Sequence, residues 1–326
     1  MDNDPFETAA SQAVEHWGIE AKTVELIAMS ENAVFRVDPV AGPPVIVRLH
    51  RPGYNTEAQL ESELGWVDSL HLAGIDTPAV ILTPTGSGYM PVKVGDEVRQ
   101  AGVIEWIDGH ALSNILADDP SQVSTSYQQL GAVMARMHQH SETWEVPNGF
   151  DRRRWDADGL VGPDPLWGRF WEVGSLSTSQ RDLLTRAQRR LYEHLAGLST
   201  DPGSFGLIHS DLHLGNVLAG DNRLVVIDFD DSGWGWYLYD LAVALKSALD
   251  EPWFDQARTS IIDGYRTVRS LSNQDLDLIP TLLTVRCLIT VGWLDARPEL
   301  GLGHELSGTI DTAVAQAETY LERVGG

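Results

Sequence analysis

The sequence predicts an α+β protein of two lobes, a small strand-rich N-terminal lobe followed by a larger and mostly helical lobe. Three observations predict this division. Strand-like runs and turns fill residues 1–103, and apolar residues recur at helical spacing from Ala111 onward. A short island of alternating apolar and polar residues, Leu207–Ile227, interrupts the helical part. We expect residues 104–110 to connect the two lobes, with 111–326 forming the second.

The N-terminal lobe is predicted to begin with a short amphipathic segment, Pro5–Trp17, and to contain one further helix within Asn55–Leu72. That second segment has apolar residues at helical spacing. The predicted strands of this lobe are Thr23–Met29, Ala33–Val37, Val45–Leu49, Ala79–Leu82, Tyr89–Val92 and Val98–Ile104.

The second lobe is predicted to contain the helices Tyr127–His138, Gln180–Leu195, Tyr239–Leu249, Ile279–Leu294 and Ile310–Val324. The most apolar run, Leu278–Leu294, includes Pro280 and Arg286, so we expect a buried helix rather than a membrane span. The single cysteine, Cys287, lies in this run and is predicted to be a core residue. The acidic N-terminus lacks the pattern of a signal peptide, which predicts a cytoplasmic protein.

The chain is strongly acidic, with 23 Lys and Arg against 47 Asp and Glu and a formal net charge of −24. Nucleic acids and anionic membrane surfaces attract basic patches, so this charge argues against both as partners. A small cationic or amine-bearing partner would suit it. High solubility is an equally good explanation of the same charge.

The residues that indicate chemistry lie in and just after the island. Its polar loop, His-Ser-Asp-Leu-His-Leu-Gly-Asn, holds Asp211 and Asn216 five positions apart, and Asp228 follows the next apolar strand. Phosphoryl transfer needs a carboxylate that orients the attacking hydroxyl group and accepts its proton. It also needs oxygen ligands that hold Mg²⁺ against the nucleotide phosphates. We expect Asp211 to serve the first need, and Asn216 and Asp228 the second.

This loop, together with the following Ile-Asp-Phe-Asp-Asp, resembles the motif of the aminoglycoside phosphotransferase, choline kinase and homoserine kinase superfamily. It is most similar to the bacterial subgroup that contains stress response kinase A. The continuation Trp234-Gly-Trp-Tyr-Leu-Tyr-Asp-Leu-Ala is similar as well. The resemblance implies a two-lobed protein-kinase-like fold. It also implies Mg²⁺-dependent transfer of the γ-phosphate of ATP or GTP to a hydroxyl group.

Four neighbouring residues are candidates for loop support or for metal or substrate contact. His209 is expected to stabilise the loop, and Asp240 to tie the loop to the following helix. His213 could face either substrate or solvent. Asp230 is a candidate for metal or substrate binding, whereas Asp231 is expected to be solvated.

A cation for the nucleotide phosphates is expected on the third strand, where the sequence has Arg48 and no lysine, with His50 and Arg51 as alternatives. An arginine can bind phosphate oxygens with two parallel hydrogen bonds. The resemblance is consistent with an arginine there. Its carboxylate partner is predicted to be Glu63 of the next helix, with Glu61 as the alternative and Glu57 as a more distant one.

The loop that would cover the phosphates joins the first two strands and contains no glycine. The resemblance implies that Ser30 and Asn32 approach the phosphates, although a plain hairpin turn is the alternative. Backbone groups from Glu105 to Ile107 are expected to meet the purine edge of the nucleotide.

The acceptor is predicted to be a small amine-bearing molecule with a hydroxyl group. The short segment of eleven positions from Asp228 to Tyr239 favours it, because an extended peptide would need more supporting structure. The alternatives are a Ser/Thr protein kinase of the stress response kinase A type and a nucleotide-binding pseudokinase. Arg152–Arg154 is expected to be a solvated face. The residues considered for a substrate pocket are Trp167, Trp171, Trp234, Trp236, Tyr237, Asp295, Glu299 and Glu305.

Overall fold

The protein is described by a computed structural model that covers residues 4–30, 32–220 and 223–325. Its strands are β1 (Ala21–Met29), β2 (Ala33–Pro39), β3 (Val45–Leu49), β4 (Val80–Ile81), β5 (Tyr89–Val94), β6 (Glu97–Glu105), β7 (His110–Ala111), β8 (Arg154–Trp155), β9 (Phe205–Ile208), β10 (Val217–Gly220), β11 (Arg223–Val226) and β12 (Gly233–Trp236). Its helices are α1 (Pro5–Glu15), α2 (Glu57–Leu72), α3 (Leu112–Asp118), α4 (Val123–Thr143), α5 (Ala157–Val161), α6 (Thr178–Ala196), α7 (Tyr237–Lys246), α8 (Phe254–Arg266), α9 (Asn273–Asp295) and α10 (Leu306–Gly325).

The chain divides into two compact units. The first consists of the N-terminal segment up to His110 together with Val146–Arg152 and Leu218–Asp230. The second consists of Ala111–Glu145, Arg153–Val217 and the C-terminal segment from Asp231. The sequence predicted one continuous N-terminal lobe, and this prediction was wrong for the two later segments. They join the first unit because Arg152 and Asp230 contact residues of β3 and α2.

The first unit is built on an antiparallel sheet in the order β1-β2-β3-β6-β4, with β5 paired to β6. Buried and half-buried residues alternate along β3, as expected for a strand with one face against a core. Helix α1 covers this core with Ala9, Ala10, Ala13 and Val14. Its start is fixed by Asp4, whose side chain accepts a hydrogen bond from the backbone N–H of Phe6.

The second unit is mostly helical. It contains a short three-stranded sheet in the order β8-β12-β9. Helices α4 and α8 pack closely because each carries a glycine at the contact. A Cβ atom on Gly131 would lie 2.1 Å from the carbonyl oxygen of Ile261, and one on Gly264 would lie 1.9 Å from that of Gln128. Helices α3, α5 and α8 were not predicted from the sequence.

Helix α9 contacts α7 and α10 in the second unit. By length and composition alone it could cross a membrane, with a mean hydropathy of 1.4 over its apolar window. However, 67% of that window is buried inside the protein, and Cys287 is 1% exposed. These values are those of a core helix, which agrees with the interpretation of the sequence.

Candidate active site

Arg48 of β3 is surrounded by three carboxylates of the first unit. Its Nη1 atom lies 3.3 Å from Oε1 of Glu63, and its Nη2 atom lies 2.7 Å from Oδ1 of Asp228 and 3.7 Å from Oδ1 of Asp230. Burial alone would lower the pKa of the guanidinium group, but the charges of Asp228, Glu63 and Asp230 outweigh it and raise the pKa. Of the glutamates considered for this position, Glu63 is the one that meets Arg48. We call Arg48, Glu63, Asp228 and Asp230 the Arg48 cluster.

Arg152 adds a second buried cation to this region. Its Nη1 atom lies 3.5 Å from Oε2 of Glu63, and its Nη2 atom donates to the backbone carbonyls of Phe229 and Asp230 at 3.1 and 2.6 Å. The expectation of a solvated face was therefore wrong for Arg152. Arg154, in contrast, is exposed. Arg152 fixes the backbone just after Asp228, because it holds the carbonyl groups of the next two residues.

Asp230 is buried within the first unit rather than exposed towards a ligand. Its Oδ1 atom accepts a hydrogen bond from Nδ2 of Asn55 at 3.1 Å and lies 3.5 Å from Nδ1 of His50. Burial alone would raise the pKa of this carboxyl group, but the hydrogen bond from His50 and the charge of Arg48 lower it. These contacts use Oδ1, whereas Oδ2 is buried and has no hydrogen-bond partner among the described residues, so the metal or substrate role of Asp230 stays a prediction. They make it a counter-ion of the Arg48 cluster.

The turn between β1 and β2 is braced by Asn32. This residue is 5% exposed, and its Oδ1 atom accepts a hydrogen bond from the backbone N–H of Arg51 at 3.0 Å. The backbone N–H of Ser30 donates to the carbonyl of Asn32 at 3.1 Å, and Ser30 itself is exposed. Of the two residues expected at the phosphates, Ser30 is thus placed on the surface of the turn, while the Asn32 carbonyl oxygen supports it.

The segment expected to meet the purine begins at the end of β6. The backbone N–H of Glu105 donates to the carbonyl of Ala79 at 2.9 Å, so it is not available to a nucleotide. Of the backbone groups of Glu105, the prediction therefore rests on the carbonyl group. Ile107 lies beyond the last strand residue and outside the ladder with β3. Its N–H group and the carbonyl group of Glu105 remain as candidates for base recognition.

The loop with the candidate catalytic residue Asp211 follows β9 in the second unit. Both oxygens of the Asp211 carboxylate have partners there: Oδ1 accepts from Nη2 of Arg286, and Oδ2 lies 3.3 Å from Nδ2 of Asn216 and 3.6 Å from Nε2 of His213. Burial would raise the pKa of Asp211, but the positive charge of Arg286 and its hydrogen bond outweigh burial and lower it. Asp211 is therefore ionised at neutral pH.

His213 faces Asp211 and is also partly exposed to solvent. Its Nδ1 atom accepts a hydrogen bond from the backbone N–H of Gly215 at 3.0 Å. A neutral imidazole that accepts through Nδ1 carries its proton on Nε2, and this is the atom nearest Asp211. His213 can therefore direct an N–H group towards the carboxylate.

The backbone of the loop is held by Asp240 of α7. Its carboxylate accepts hydrogen bonds from the backbone N–H groups of His209 and Ser210 at 3.0 and 2.7 Å. The same carboxylate lies 3.0 Å from Nε2 of His138, whose Nδ1 lies 3.0 Å from the hydroxyl group of Tyr265. Nδ1 of His209 accepts from the backbone N–H of Asp211 at 3.3 Å. His209 and Asp240 thus support the loop.

Ser210 and Asp228 are the two non-glycine residues with positive φ in the described ranges, at 65° and 63°. This backbone region costs an L-residue free energy and is concentrated at functional sites. Ser210 is held there by Asp240 and by its hydroxyl group, which donates to the carbonyl of Asp231 at 2.5 Å. One strained residue directly precedes Asp211, and the other is the candidate metal carboxylate itself.

Comparison with known proteins shows the family of this chain. The model of the phosphotransferase enzyme family matches residues 23–274. The chain belongs to this family. The protein is therefore a kinase with an alcohol group as acceptor, and the resemblance read from the loop motif is confirmed.

Members of the phosphotransferase family resemble this chain over most of its length. Amicoumacin kinase of Bacillus subtilis is 24% identical over 311 residues, which cover 92% of this chain and 88% of that protein. Homoserine kinase of Sinorhizobium medicae is 26% identical over 257 residues, 77% of this chain and 72% of that one. A solved structure of a microcompartment-associated aminopropanol kinase has a TM-score of 0.84 and 31% identity, covering 97% of this chain and 98% of that chain. These similarities confirm the predicted fold class, and they lend no support to the protein-kinase alternative.

Arg286 is the residue of this phosphotransferase site that the sequence analysis did not single out. It lies in the middle of α9, and its guanidinium group stacks over the ring of Trp167 at 4.6 Å. The sequence did contain a signal, because an arginine inside the most apolar run must find a counter-charge if it is buried. What the sequence could not give was its partner, Asp211.

Several aromatic residues considered for a substrate pocket serve the core instead. Trp167 is 4% exposed and packs against Arg286. The indole N–H of Trp236 donates to the carbonyl of Ser199 at 2.9 Å, and the hydroxyl group of Tyr237 donates to that of Pro202 at 3.0 Å. Trp234 is only half-buried, so it stays a candidate for substrate contact.

Proposed function

We propose that this phosphotransferase is a cytoplasmic enzyme that moves the γ-phosphate of ATP or GTP to the hydroxyl group of a small, amine-bearing molecule. The observation that carries the proposal is the ionised Asp211 carboxylate, held at both oxygens in a family whose members phosphorylate small molecules. Two of the similar proteins, aminopropanol kinase and homoserine kinase, are named for acceptors that combine a hydroxyl group with an amine.

Asp211 is proposed to orient the acceptor hydroxyl group for attack and to take its proton as the new bond to phosphorus forms. Phosphoryl transfer passes through a loose transition state, in which positioning contributes more than early deprotonation. A carboxyl group with a lowered pKa suits this role, because it is always ionised at neutral pH but is a weak base.

The ligands proposed for Mg²⁺ are Asn216 and Asp228. Asn216 donates hydrogen bonds through Nδ2 to the backbone carbonyl and the carboxylate of Asp211. Its Oδ1 atom can therefore serve as a ligand for a cation. The side chain of Asp228 is 47% exposed, and its ion pair with Arg48 uses Oδ1. Carboxylate and amide oxygens are ligands that Mg²⁺ prefers. The bound ion would neutralise charge on the nucleotide phosphates.

Nucleotide binding is proposed to use the first unit. Arg48, held by its ion pair with Glu63, would bind the nucleotide phosphates through its guanidinium group. The hydroxyl group of the exposed Ser30 would approach the phosphates from the turn between β1 and β2. Ile107 and the carbonyl group of Glu105 would contact the purine. Backbone contacts of this kind accommodate both ATP and GTP, so both donors belong in the first experiment.

The test is a substrate panel with purified protein, Mg²⁺ and either ATP or GTP. The panel contains an amino alcohol (1-amino-2-propanol), a hydroxy amino acid (homoserine), an aminoglycoside and a generic protein substrate. We expect phosphorylation of at least one small amine, detected as a phosphorylated product by mass spectrometry. The matched control is Asp211→Asn, which should form no product above background.

Phosphorylation of the protein substrate with every small amine silent would contradict the proposal. A product formed equally by wild type and Asp211→Asn would show a contaminating kinase and would also count against it.

A further inference from the structure

A buried arginine, Arg286, lies beside the proposed catalytic carboxylate of Asp211. Arg286 is 8% exposed, and only one of its guanidinium nitrogens, Nη2, is used by Asp211. Among the described residues, its Nε and Nη1 atoms have no hydrogen-bond partner. A charged group in the core is costly unless its position is needed. The amount of burial therefore calls for an explanation beyond packing.

The orientation of the guanidinium group is fixed by surroundings that Asp211 does not provide. Helix α9 is mostly buried, and the Cζ atom of Arg286 lies over the ring of Trp167, 4.6 Å from its centroid. Tyr239 lies near Arg286 as well. Burial raises the pKa of Tyr239 to about 12, and the positive charge of Arg286 opposes that rise. Arg286 is thus a fixed point against which a neighbouring carboxylate can be aligned.

Asp211 itself lies on a loop, which by itself would allow several side-chain rotamers. Arg286 holds Oδ1, and Asn216 holds Oδ2 at 3.3 Å. Contacts at both oxygens restrict the rotation of the carboxylate. Asn216 lies in the same loop as Asp211, whereas Arg286 follows Asp211 by 75 positions.

We propose that Arg286 is a positioning residue that aligns the Asp211 carboxylate for the acceptor hydroxyl group. This inference rests on the proposed function of Asp211 but not on which small molecule is the acceptor. Arg286 acts through Asp211 and need not touch the substrate. Loss of the alignment lowers the rate of transfer and leaves nucleotide binding unchanged, because Arg48 and its carboxylates belong to the first unit.

The experiment compares Arg286→Gln, Arg286→Lys, Asp211→Asn and the double variant Arg286→Gln/Asp211→Asn. Turnover is measured with 1-amino-2-propanol or homoserine as acceptor, and nucleotide hydrolysis is measured with no acceptor. We expect Arg286→Gln to lower kcat by roughly tenfold to a hundredfold, since misplacement by about 1 Å can cost about a hundredfold. Mg-nucleotide affinity should change less than about twofold. Arg286→Lys should recover part of the rate, because lysine keeps the charge but not the planar stack on Trp167.

The double variant separates positioning from general damage. If Arg286 acts through Asp211, Arg286→Gln has almost no further effect once Asp211 is replaced. The matched control is Arg297→Gln, which removes another buried arginine, stacked over Trp293 at 5.0 Å just after α9, that does not contact Asp211. This control should retain the wild-type kcat.

Three results would overturn the inference. These are an unchanged kcat in Arg286→Gln, a full additional loss in the double variant, or an equal loss in Arg297→Gln. If Arg286→Gln does not fold, Arg286→Lys decides alone through the split between kcat and nucleotide affinity. If neither small amine is phosphorylated by the wild type, the substrate proposal fails by itself. The acceptor-free hydrolysis rates then still test Arg286, because water takes the place of the acceptor.

Discussion

The two carboxylates assigned to chemistry, Asp228 and Asp211, each form an ion pair with a buried arginine, but the two arginines have different surroundings. In the first unit, Arg48 and Arg152 face Glu63, Asp228 and Asp230, so carboxylates outnumber guanidinium groups. In the second unit, Arg286 meets the single carboxylate of Asp211 and keeps two nitrogens without partners among the described residues.

The different charge balance around the two carboxylates suits them to different tasks. A region with surplus carboxylates attracts a cation, which suits a metal ligand such as Asp228. A single carboxylate neutralised by a fixed arginine is kept from capturing a cation of its own and serves to orient a neutral hydroxyl group. The same residue pair therefore has different consequences in the two units.

The largest effect is expected for Asp211→Asn. The amide keeps the size of the side chain but loses the charge that orients and deprotonates the acceptor, which is typically worth a hundredfold or more in rate (about 10²–10⁴). Steady-state kinetics with the acceptor found in the panel would measure the loss. Asp311→Asn, an exposed aspartate on α10, is the matched control and should be silent. Near-normal turnover of Asp211→Asn would remove Asp211 from the catalytic role.

The next largest effect is expected for Asp228→Ala, followed by Asn216→Ala. Each removes one proposed oxygen ligand of Mg²⁺, so the affinity for the Mg-nucleotide should fall, most strongly for Asp228→Ala. Isothermal titration calorimetry at several Mg²⁺ concentrations would measure it. Asp228→Ala also frees Arg48, so nucleotide affinity without Mg²⁺ should hold or rise. Unchanged Mg-nucleotide affinity in Asp228→Ala would contradict its place at the metal.

A smaller effect is expected for Glu63→Gln. The change removes the charge that fixes Nη1 of Arg48, and a hydrogen bond to a charged group is worth about 1.5–3 kcal/mol. The KM for the nucleotide should therefore rise by roughly tenfold, with a smaller change in kcat. Glu61→Gln is the matched control, because Glu61 is exposed on the same helix. Equal effects of the two substitutions would show that the Arg48–Glu63 pair is unimportant for nucleotide binding.

The smallest effect concerns stability and pH. Burial lowers the pKa of His138 below that of an ordinary histidine, although the hydrogen bond to Asp240 opposes this. Below about pH 6.5 the unfolded chain then binds more protons than the folded one, so the free energy of unfolding falls as pH falls. Urea unfolding between about pH 7.5 and about pH 5 should therefore show a loss of stability from this group as the pH falls.

His138→Gln should flatten that part of the pH dependence, whereas His16→Gln, at an exposed position, should leave it unchanged. The neighbours that share the site are Asp240, Tyr265 and Arg269. A wild-type stability that does not change over this range would show that His138 titrates alike in both states.

The sequence predicted those parts of the fold and site that depend on local pattern. Alternation located β3 and placed Arg48 on it, and helical spacing located α2 and offered Glu63 as its partner. The loop motif brought Asp211 and Asn216 to attention through their spacing of five positions, and the structure shows the two in contact. In each case the interacting residues are close in the chain or belong to a pattern with one period.

What the sequence could not predict are contacts that join distant segments. Arg152 meets Glu63 across 89 positions, and Arg286 meets Asp211 across 75. Neither arginine has a local pattern that identifies its partner. Asp231 was expected in solvent, yet it is 8% exposed and pairs with Arg153 at 2.8 Å. A charge is buried when a partner from another segment meets it, and such meetings are a property of the folded chain.

The first unit is assembled from three separate stretches of chain, which the ribosome synthesises one after another. Arg48 emerges soon before Glu63, but Arg152 and Asp228 follow much later. Until residue 230 has left the exit tunnel, the nascent sheet holds a guanidinium group that lacks two of its three carboxylates. Burying such a charge is unfavourable, so completion of the unit waits for the later segments. We expect the growing polypeptide to be most vulnerable to proteases and to depend most on chaperones midway through its own translation.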